Sequence, residues 1–528
     1  MNEAPNPDFL LCDAMEQTIV NPTDSQRWHA LVARYEQSRD PGARDHVRRE
    51  LTHRVPADGI EGFLRATFLA FVGGDPAHTA EAARIVQKIA PIDVERLMAF
   101  AAFEWGRALG HTGGRARFAG ALRNARLPEV VSLAGSQLRA TAPVRPAARP
   151  IGPPRKAAMI VPFLGPPGHS PTELAFRNAR IARETGLETQ IFCCQDLSMP
   201  HMPNYLGSMG RVSNAIPDRE TLIAMVPPGM AITLADERFS LLARWHDMLR
   251  AVTDFDPDLI FFAGFYAPLA HALYETRPVL ALSIHSVSPM VPADVWLTAD
   301  RERSGLCGTD WGPALPPAWG HYHPFRILLR PEGPPVTRAD LGVEDGDTLA
   351  ITVGTRLDTE IAGPWALRIT ALLKDRPKLV WVLAGGNGVR PEALRGVPDR
   401  QLRIVPFTSN IRALTRRCDI FLNPERLGGG FSVAEAMAEG LPVLALANSD
   451  GGIKLGAHAV ETLDEYFARL NTLLDSPAER HRMGVALRSL FAATLDLDRS
   501  GPSLLTACEL TVERYNARSG ARDQASAA

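Results

Sequence analysis

Two runs of alternating strand and helix patterns constrain the fold of this chain more than any other feature of its sequence. In the first run, amphipathic helical patterns separate apolar segments of strand length at 157–163, 187–194, 258–264 and 278–284. The alternation then starts again, with apolar segments at 348–354, 378–386, 401–407, 419–424 and 441–447. Such alternation is typical of parallel, doubly wound sheets. The sequence therefore predicts an α/β fold with two Rossmann-like units.

The remaining segments flank and connect these two units. Residues 1–145 have apolar residues at helical spacing and no convincing strand, so we expect an all-helical domain there. Residues 146–156 are rich in proline and are predicted to be a linker. The two Rossmann-like domains are then expected at 157–330 and 331–500. The end of the chain, 501–528, is predicted to form a terminal helix followed by a disordered tail.

Charge and cysteine content exclude several classes of protein. The net charge of −2 gives no global attraction to nucleic acid, so no nucleic-acid partner is expected. The six cysteines have neither CxxC nor zinc-ligand spacing, which favours reduced, buried thiols. The N-terminus lacks a basic stretch followed by an apolar core, and proline and charged residues interrupt the most apolar region, 259–284. We expect a soluble, cytoplasmic protein with at most peripheral membrane contact.

No metal site is predicted. His321 and His323 form an HxH pair, but the sequence offers no evident third ligand. No carboxylate pair of the DxD kind stands at a convincing strand end either. Chemistry at this protein's site is therefore expected to use side chains and backbone dipoles, with neither metal nor cofactor.

The segment 423–443, NPERLGGGFSVAEAMAEGLPV, places three glycines between a predicted strand and a predicted helix. Glycines let backbone N–H groups converge on an anion at a helix N-terminus, and Gly428, Gly429 and Gly430 are in the right place for this. A helix end contributes only about 0.3–1 kcal/mol to anion binding, so a cation should assist. Arg426 and Arg356 are the candidates.

A structural alternative explains the same segment without any ligand. Ser432 and Glu435 have the S-x-x-E spacing of a capping box, in which side chains satisfy the free N–H groups of a helix start. On that interpretation, the glycines only form a tight turn. The residues of this segment alone leave both interpretations open.

The surrounding sequence resembles a known family. The segments that carry the resemblance are GTRL at 354–357, WVLAGG at 381–386, VPFTSNIRAL at 405–414 and DIFLNPERLGGGFSVAEAMAEGLPV at 419–443. Together they resemble the nucleotide-binding domain of GT-B fold glycosyltransferases, of the glycosyl transferases group 1 type. The resemblance implies two Rossmann-like domains, with the donor bound by the second and the acceptor by the first. It also implies glycosyl transfer from a nucleotide diphosphate sugar.

The resemblance also implies roles for individual residues of the second unit. Glu435 corresponds to the glutamate that binds the donor ribose. The segment whose backbone faces the donor diphosphate and sugar corresponds to Gly429, Gly430, Phe431 and Ser432. Arg356 follows the strand-end residues Gly354 and Thr355. It corresponds to the positively charged residue that neutralises the diphosphate. Phe407 and Thr408 correspond to the position that holds the nucleobase.

Two positions depart from the family pattern. Leu427 stands where a first glutamate is usual, and Glu360 is the only charged candidate where a lysine is usual after Arg356. We hypothesise that Arg426 supplies the missing positive charge near the donor.

Two histidines of the first unit are catalytic candidates, together with Arg356. His169 ends a glycine-containing loop and precedes Ser170-Pro-Thr-Glu173, a second predicted capping box. The resemblance implies that this loop lines the acceptor side. His285 follows a buried strand, where family members often keep a histidine facing the transferred sugar. An inverting reaction would need a general base, for which His169 and His285 are the first choices, whereas a retaining reaction needs none.

The expected function is metal-independent transfer of a sugar from a nucleotide diphosphate sugar to an acceptor hydroxyl or to a protein or glycan. The helical region suggests a macromolecular acceptor or self-association into a homo-oligomer. Two alternatives share the architecture: a sugar-nucleotide epimerase and a non-catalytic nucleotide-sugar binder. In a third alternative, the protein is a scaffold whose helical region binds partners.

Overall fold

The structure of the protein is a computed structural model. It describes residues 6–54, 58–89, 94–109, 114–142, 144, 152–167, 169–199, 217–285, 287–330, 332–386, 388–426 and 429–527. The chain divides into two compact units, residues 1–323 together with 501–528, and residues 324–500. Each unit is described by itself.

The first unit begins with a helical region, as the sequence predicts. Several of its helices start at side-chain caps; for example, the Asp24 carboxylate accepts the backbone N–H of Gln26. The helices are α1 (Pro7–Val20), α2 (Ser25–Gln37), α3 (Pro41–His53), α4 (Ile60–Gly73), α5 (Pro76–Ile89), α6 (Val94–Leu109), α7 (Gly114–Asn124) and α8 (Leu127–Thr141).

A parallel sheet follows the helical region. Within the described residues it has seven strands in the order β3-β2-β1-β4-β5-β6-β7. They are β1 (Lys156–Val161), β2 (Glu188–Cys193), β3 (Ala231–Leu234), β4 (Leu259–Gly264), β5 (Val279–Ser283), β6 (Val295–Thr298) and β7 (Trp319–Tyr322). The helices between the strands are α9 (Ser170–Glu184), α10 (Arg219–Ala224), α11 (Leu241–Phe255) and α12 (Pro268–Leu273). The strand order reverses direction between β1 and β4, which makes that junction the topological switch point where ligands usually bind.

The helical region and this sheet share one hydrophobic core. Buried residues from the helices, such as Leu31 and Phe100, belong to the same cluster as Ile160 of β1 and Phe262 of β4. At Gly135 of α8, an added Cβ would come within 3.0 Å of the His271 side chain of α12. Within the first unit, the helical region therefore packs directly on the Rossmann-like sheet and its helices.

The second unit contains a smaller parallel sheet. Its five strands within the described residues have the order β10-β9-β8-β11-β12, so the switch point lies between β8 and β11. The strands are β8 (Thr348–Val353), β9 (Leu379–Ala384), β10 (Leu402–Val405), β11 (Ile420–Leu422) and β12 (Val443–Leu444). The helices are α13 (Leu357–Glu360), α14 (Gly363–Asp375), α15 (Ile411–Arg416), α16 (Gly430–Glu439), α17 (Asp450–Leu455), α18 (Leu463–Asp475) and α19 (Pro477–Thr494).

The last helix corrects one prediction. Helix α20 (Gly501–Ala527) returns to the first unit and continues through residues that the sequence analysis assigns to a disordered tail. Arg518 anchors it: Nε donates to Asp294 Oδ1 at 2.8 Å, and the guanidinium lies 3.7 Å from the Tyr274 ring centroid. Residues 517–527 contain helix-favouring alanine and arginine and no proline.

The HxH histidines have separate structural settings. His321 lies in β7, where burial lowers its pKa, and His323 follows the strand with Nδ1 2.9 Å from Ser503 Oγ. Among the described residues, no three His, Cys, Asp or Glu side chains are grouped as metal ligands would be. In the same part of the chain, no helix has both the length and the apolar character that a membrane span requires.

Candidate functional site

The glycine loop of the second unit lies at the switch point of its sheet. It connects β11 to α16, next to the segment that follows β8. Gly429 is the N-cap of α16 with φ of 90°, a left-handed conformation that glycine adopts without strain. Gly428 and Leu427 lie outside the described residues.

The protein's own side chains approach these glycines closely. A Cβ at Gly429 would come within 3.0 Å of Asn423 and Arg426, and a Cβ at Gly430 would meet the Asp450 carboxylate equally closely. Real Cβ atoms essentially never make such contacts, so a side chain at either position would force these neighbours to move, and the positive φ of Gly429 favours glycine there as well. The approach of a donor diphosphate to these glycines stays a prediction.

Arg426 links the two loops at the switch point. Its side chain is only 4% exposed, and Nη1 donates to Glu360 Oε2 at 2.7 Å. Nε donates to Asn423 Oδ1 at 2.9 Å, and Nη2 donates to the Val353 carbonyl at the end of β8 at 2.8 Å. Every guanidinium nitrogen thus has a protein partner. These contacts give Arg426 a structural role in holding the glycine loop against β8, while its hypothesised contribution of positive charge to the donor stays a prediction.

Arg356 is placed differently. Its side chain is 72% exposed, and Nη2 lies 2.9 Å from Glu360 Oε1. Glu360 therefore bridges a buried arginine and an exposed one. An exposed ion pair is worth only about 0–1 kcal/mol, so the Arg356 guanidinium can change partners at little cost. Gly354 permits this arrangement because a Cβ there would come within 3.0 Å of Arg426 and Leu357, while the neighbouring Thr355 is exposed.

The predicted capping box at Ser432 and Glu435 is wrong. Helix α16 begins at Gly430, so Ser432 already lies inside it, with Oγ 3.1 Å from the Gly429 carbonyl and 3.3 Å from the Val353 carbonyl. No side chain caps the helix. Because glycine can reverse the chain at Gly429, the helix starts three residues earlier than the S-x-x-E spacing implies.

Glu435 is buried with part of its hydrogen-bonding capacity unused. The residue is 3% exposed, and Oε1 lies 3.0 Å from Arg330 Nε. The two groups are not aligned for a hydrogen bond, and Oε1 has no hydrogen-bond partner among the described residues. Burial raises the pKa of Glu435, while the Arg330 charge opposes that shift. Buried polar atoms are normally satisfied, so this oxygen is a candidate ligand contact.

Arg330 is a residue that the sequence analysis missed. A charged network positions it: Arg412 Nη1 donates to the Arg330 carbonyl at 2.7 Å, and Arg412 also pairs with buried Glu439 at the end of α16. The Arg330 guanidinium lies 5.9 Å from the Phe431 ring centroid. The only sequence signal was an arginine before a proline-rich segment, which is too common a pattern to single out.

The predicted nucleobase position lies beyond β10. Phe407 is an exposed aromatic side chain, and Thr408 Oγ1 accepts the backbone N–H of Asn410 at 3.1 Å. Strand β10 is at the edge of the sheet, separated from β8 by β9. Because the sheet is parallel, residues that follow the carboxyl end of β10 lie at the same edge of the sheet as the glycine loop, which follows β11.

The first unit has a cavity of about 330 Å³ beside its own switch point. It brings together both predicted histidines and side chains from helix α6 that the sequence analysis did not connect with them. The lining residues are Ala102, Trp105, Gly106, Val161, Pro162, Phe163, His169, Pro171, Asp196, Leu197, Ala263, Gly264, Phe265, Tyr266, Ile284 and His285.

His285 is held as a neutral ring by the helical region. The Trp105 indole N–H lies 2.9 Å from His285 Nε2, and because indole can only donate, Nε2 is the unprotonated acceptor. Burial lowers the pKa of His285 to about 4. The ring thus carries its proton on Nδ1, and the Nε2 lone pair is already occupied. This arrangement disfavours the general-base role considered for His285.

His169 forms the start of helix α9, but the predicted second capping box is wrong. His169 is the N-cap and makes no side-chain cap, so Ser170 is already helical. The His169 Nδ1 atom lies 2.8 Å from Thr172 Oγ1, and the same Oγ1 accepts a hydrogen bond from the Gly165 backbone N–H. A Cβ at Gly165 would come within 3.0 Å of the His169 ring, so the loop closes tightly over it. Burial lowers the pKa of His169.

Comparison with protein families identifies the second unit. Residues 349–474 match the family described as glycosyl transferases group 1. This segment is similar to a glycosyltransferase group 1 domain. The segment contains Arg356 and every donor-binding residue proposed above from Gly354 to Glu435. The two doubly wound sheets and the preceding helical region confirm the predicted GT-B fold class.

Solved structures resemble this chain only distantly. A mutant O-GlcNAc transferase from Thermobaculum terrenum is 13% identical, with a TM-score of 0.46, over 96% of this chain and 94% of its own. The HepE protein of Anabaena in complex with UDP-glucose is 14% identical, with a TM-score of 0.38, over 69% and 99%. Similarity at this level assigns no function to individual residues. A search of curated proteins finds no match.

Proposed function

We propose that the protein transfers a sugar from a nucleotide diphosphate sugar to an acceptor hydroxyl, without a metal ion. The observation that carries the proposal is the buried Glu435 carboxylate in the segment that matches the glycosyl transferases group 1 family: its Oε1 lies beside the Arg330 charge but accepts no hydrogen bond from the described residues. A carboxylate in this position offers acceptor oxygens to the two adjacent hydroxyls of a ribose. The Arg330 guanidinium would then keep the carboxylate charged while the ribose supplies the missing hydrogen bond.

Two features support binding of the diphosphate. Helix α16 has no side-chain cap, so its first N–H groups and its dipole remain available for an anion. Arg356 is exposed and shares Glu360 with Arg426, so it can turn towards phosphate oxygens while Arg426 keeps Glu360 in place. In the transition state, these groups would stabilise charge that develops on the leaving diphosphate.

The experiment is a binding titration with UDP, GDP, ADP and TDP, followed by turnover with the matching nucleotide sugars. Glu435→Gln should weaken nucleotide binding about 10–100-fold, since a hydrogen bond to a charged group contributes about 1.5–3 kcal/mol. The matched control is Glu344→Gln, which neutralises an exposed carboxylate of the same unit. Equal affinities of the wild type and Glu435→Gln would refute the assignment of Glu435.

Turnover separates this function from the alternatives. A glycosyltransferase releases nucleotide diphosphate in an acceptor-dependent reaction, and the anomeric configuration of the first product distinguishes retention from inversion. Formation of an epimeric nucleotide sugar without an acceptor would instead establish the epimerase. Binding with no product under any condition would establish the non-catalytic binder.

A further inference from the structure

The cavity of the first unit contains two buried polar atoms that have no hydrogen-bond partner among the described residues. They are Asp196 Oδ2 and the Tyr266 hydroxyl, on residues that are 1% and 3% exposed. The other oxygen of Asp196, Oδ1, accepts the Trp245 indole N–H at 2.8 Å. Leaving a buried donor or acceptor unpaired costs about 1–3 kcal/mol, more when it is charged. Two such atoms in one cavity indicate a ligand that pairs with them.

The loop that carries Asp196 is rigidly built. The buried guanidinium of Arg244 donates to the carbonyls of Cys194 and Gln195 at 2.9 and 2.8 Å. The Asp196 backbone N–H donates to the Pro162 carbonyl at 2.7 Å, which fixes this loop to the one after β1. The carboxylate is therefore held in the cavity by buried contacts on several sides. Such preorganisation is typical of a binding site.

The remaining walls specify the character of the ligand. They are mostly aromatic and aliphatic, with Trp105, Phe163 and Phe265 prominent, and the Nε2 atom of the lining His285 is already taken by Trp105. A sugar ring would bring several hydroxyls to this cavity and leave most of them unpaired. A ring that is mainly apolar and bears one hydroxyl matches both the walls and the two unsatisfied atoms. A volume of about 330 Å³ lies at the small end of the usual range for ligand pockets.

We propose that this cavity binds a mainly apolar ring alcohol, such as a phenol, whose hydroxyl donates to Asp196 Oδ2 and accepts from the Tyr266 hydroxyl. The helical region supplies one wall through Trp105 of α6. If the proposed glycosyl transfer is correct, this compound is the acceptor class; that role rests on the proposed function, whereas the binding itself does not.

The test is a ligand-observed NMR titration of the full-length protein at pH 8 without nucleotide. The probes are 2-naphthol, its methyl ether, which cannot donate a hydrogen bond, and glucose. We expect 2-naphthol to bind more tightly than the ether or glucose. Asp196→Asn and Tyr266→Phe should each weaken 2-naphthol binding about 10-fold and leave binding of the ether unchanged. The matched control is Asp254→Asn, which neutralises an exposed carboxylate of helix α11.

Two results would overturn the proposal. Equal affinity for 2-naphthol and its ether, with both variants unchanged, would show that the two polar atoms bind no hydroxyl. Tighter binding of glucose than of 2-naphthol would show that the ligand class is wrong. Tyr266→Phe keeps the test decisive if Asp196→Asn fails to fold. Nucleotide binding through Glu435 is measured separately, so failure of the proposed function leaves this result intact.

Discussion

Removing the Arg426 guanidinium should destabilise the glycine loop, and this prediction tests the main structural conclusion about the second unit. The side chain is almost fully buried and donates to Glu360, Asn423 and the Val353 carbonyl. Truncation of one partner of a buried ion pair typically costs about 3–5 kcal/mol. Arg356 still pairs with Glu360 after the change, so we expect the lower part of that range for Arg426→Ala.

A double-mutant cycle separates the pair from its surroundings. Glu360→Gln removes the negative charge at constant volume, and Arg426→Ala removes the positive one. Because the two groups are in direct contact, their effects should deviate from additivity by about 1–3 kcal/mol. The assay is hydrogen exchange measured by mass spectrometry over 348–360 and 419–439, which reports local opening of this unit in a protein with two units.

The alternative role of Arg426, direct binding of the donor, predicts a different result. Protection in both segments would then equal that of the wild type while nucleotide affinity fell about 10-fold or more. That combination would refute the structural role described here. Arg426→Lys adds a control, since lysine keeps the charge but cannot make all three contacts. We expect it to lose protection almost as much as the alanine variant.

Two further predictions concern the cavity of the first unit. Burial raises the pKa of Asp196 from 3.8 to about 7, so its contribution to stability is fully present below about pH 4 and is lost as the pH rises to about 7. The loss is of the order of 4 kcal/mol, and the Asp196→Asn variant does not suffer it. The melting temperature of the variant should therefore exceed that of the wild type, and the excess should be larger at pH 8 than at pH 5. An equal difference at both pH values would contradict the shift. Trp105→Phe removes the N–H that stabilises neutral His285, so the pKa of His285 should rise above about 4 in an NMR titration; an unchanged pKa would contradict the hydrogen bond.

In the first sheet, the sequence predicts the central strands better than the outer ones. Strands such as 157–161 and 348–353 are buried on both faces and therefore appear as continuous apolar runs. Strands β3, β6 and β7 were missed: they have four residues each, and the sequence of β7, WGHY, includes a glycine and a histidine. Runs this short do not carry a readable period by themselves, and the equally short β10 was predicted only as part of the longer segment 401–407.

The site residues divide in a similar way. The family motif placed Gly429, Gly430 and Glu435 together on one loop and the helix that follows it. This was possible because the three residues are close together in the sequence. The motif did not reveal that Arg426 pairs with Glu360, 66 residues earlier. The capping boxes failed because the S-x-x-E spacing does not fix where a helix begins. Helix α16 starts three residues earlier than that spacing implies, after Gly429, and α9 starts one residue earlier, after His169. Long-range pairings and backbone reversals are set by the folded chain.

The helical region is more closely joined to the first sheet than its sequence indicates. The sequence predicted an all-helical domain and suggested a macromolecular acceptor or self-association, which stay predictions, whereas the buried residues of this region share a core with strands β1 and β4. Arg115 of helix α7 adds ion pairs with Asp300 and Asp310 at 3.0 and 3.1 Å, and Trp105 donates to His285 inside the cavity. Deleting the region would therefore expose the core of the first unit and open its cavity. Single substitutions such as Trp105→Phe keep that core closed, and they are the informative way to ask what these helices contribute to the reaction.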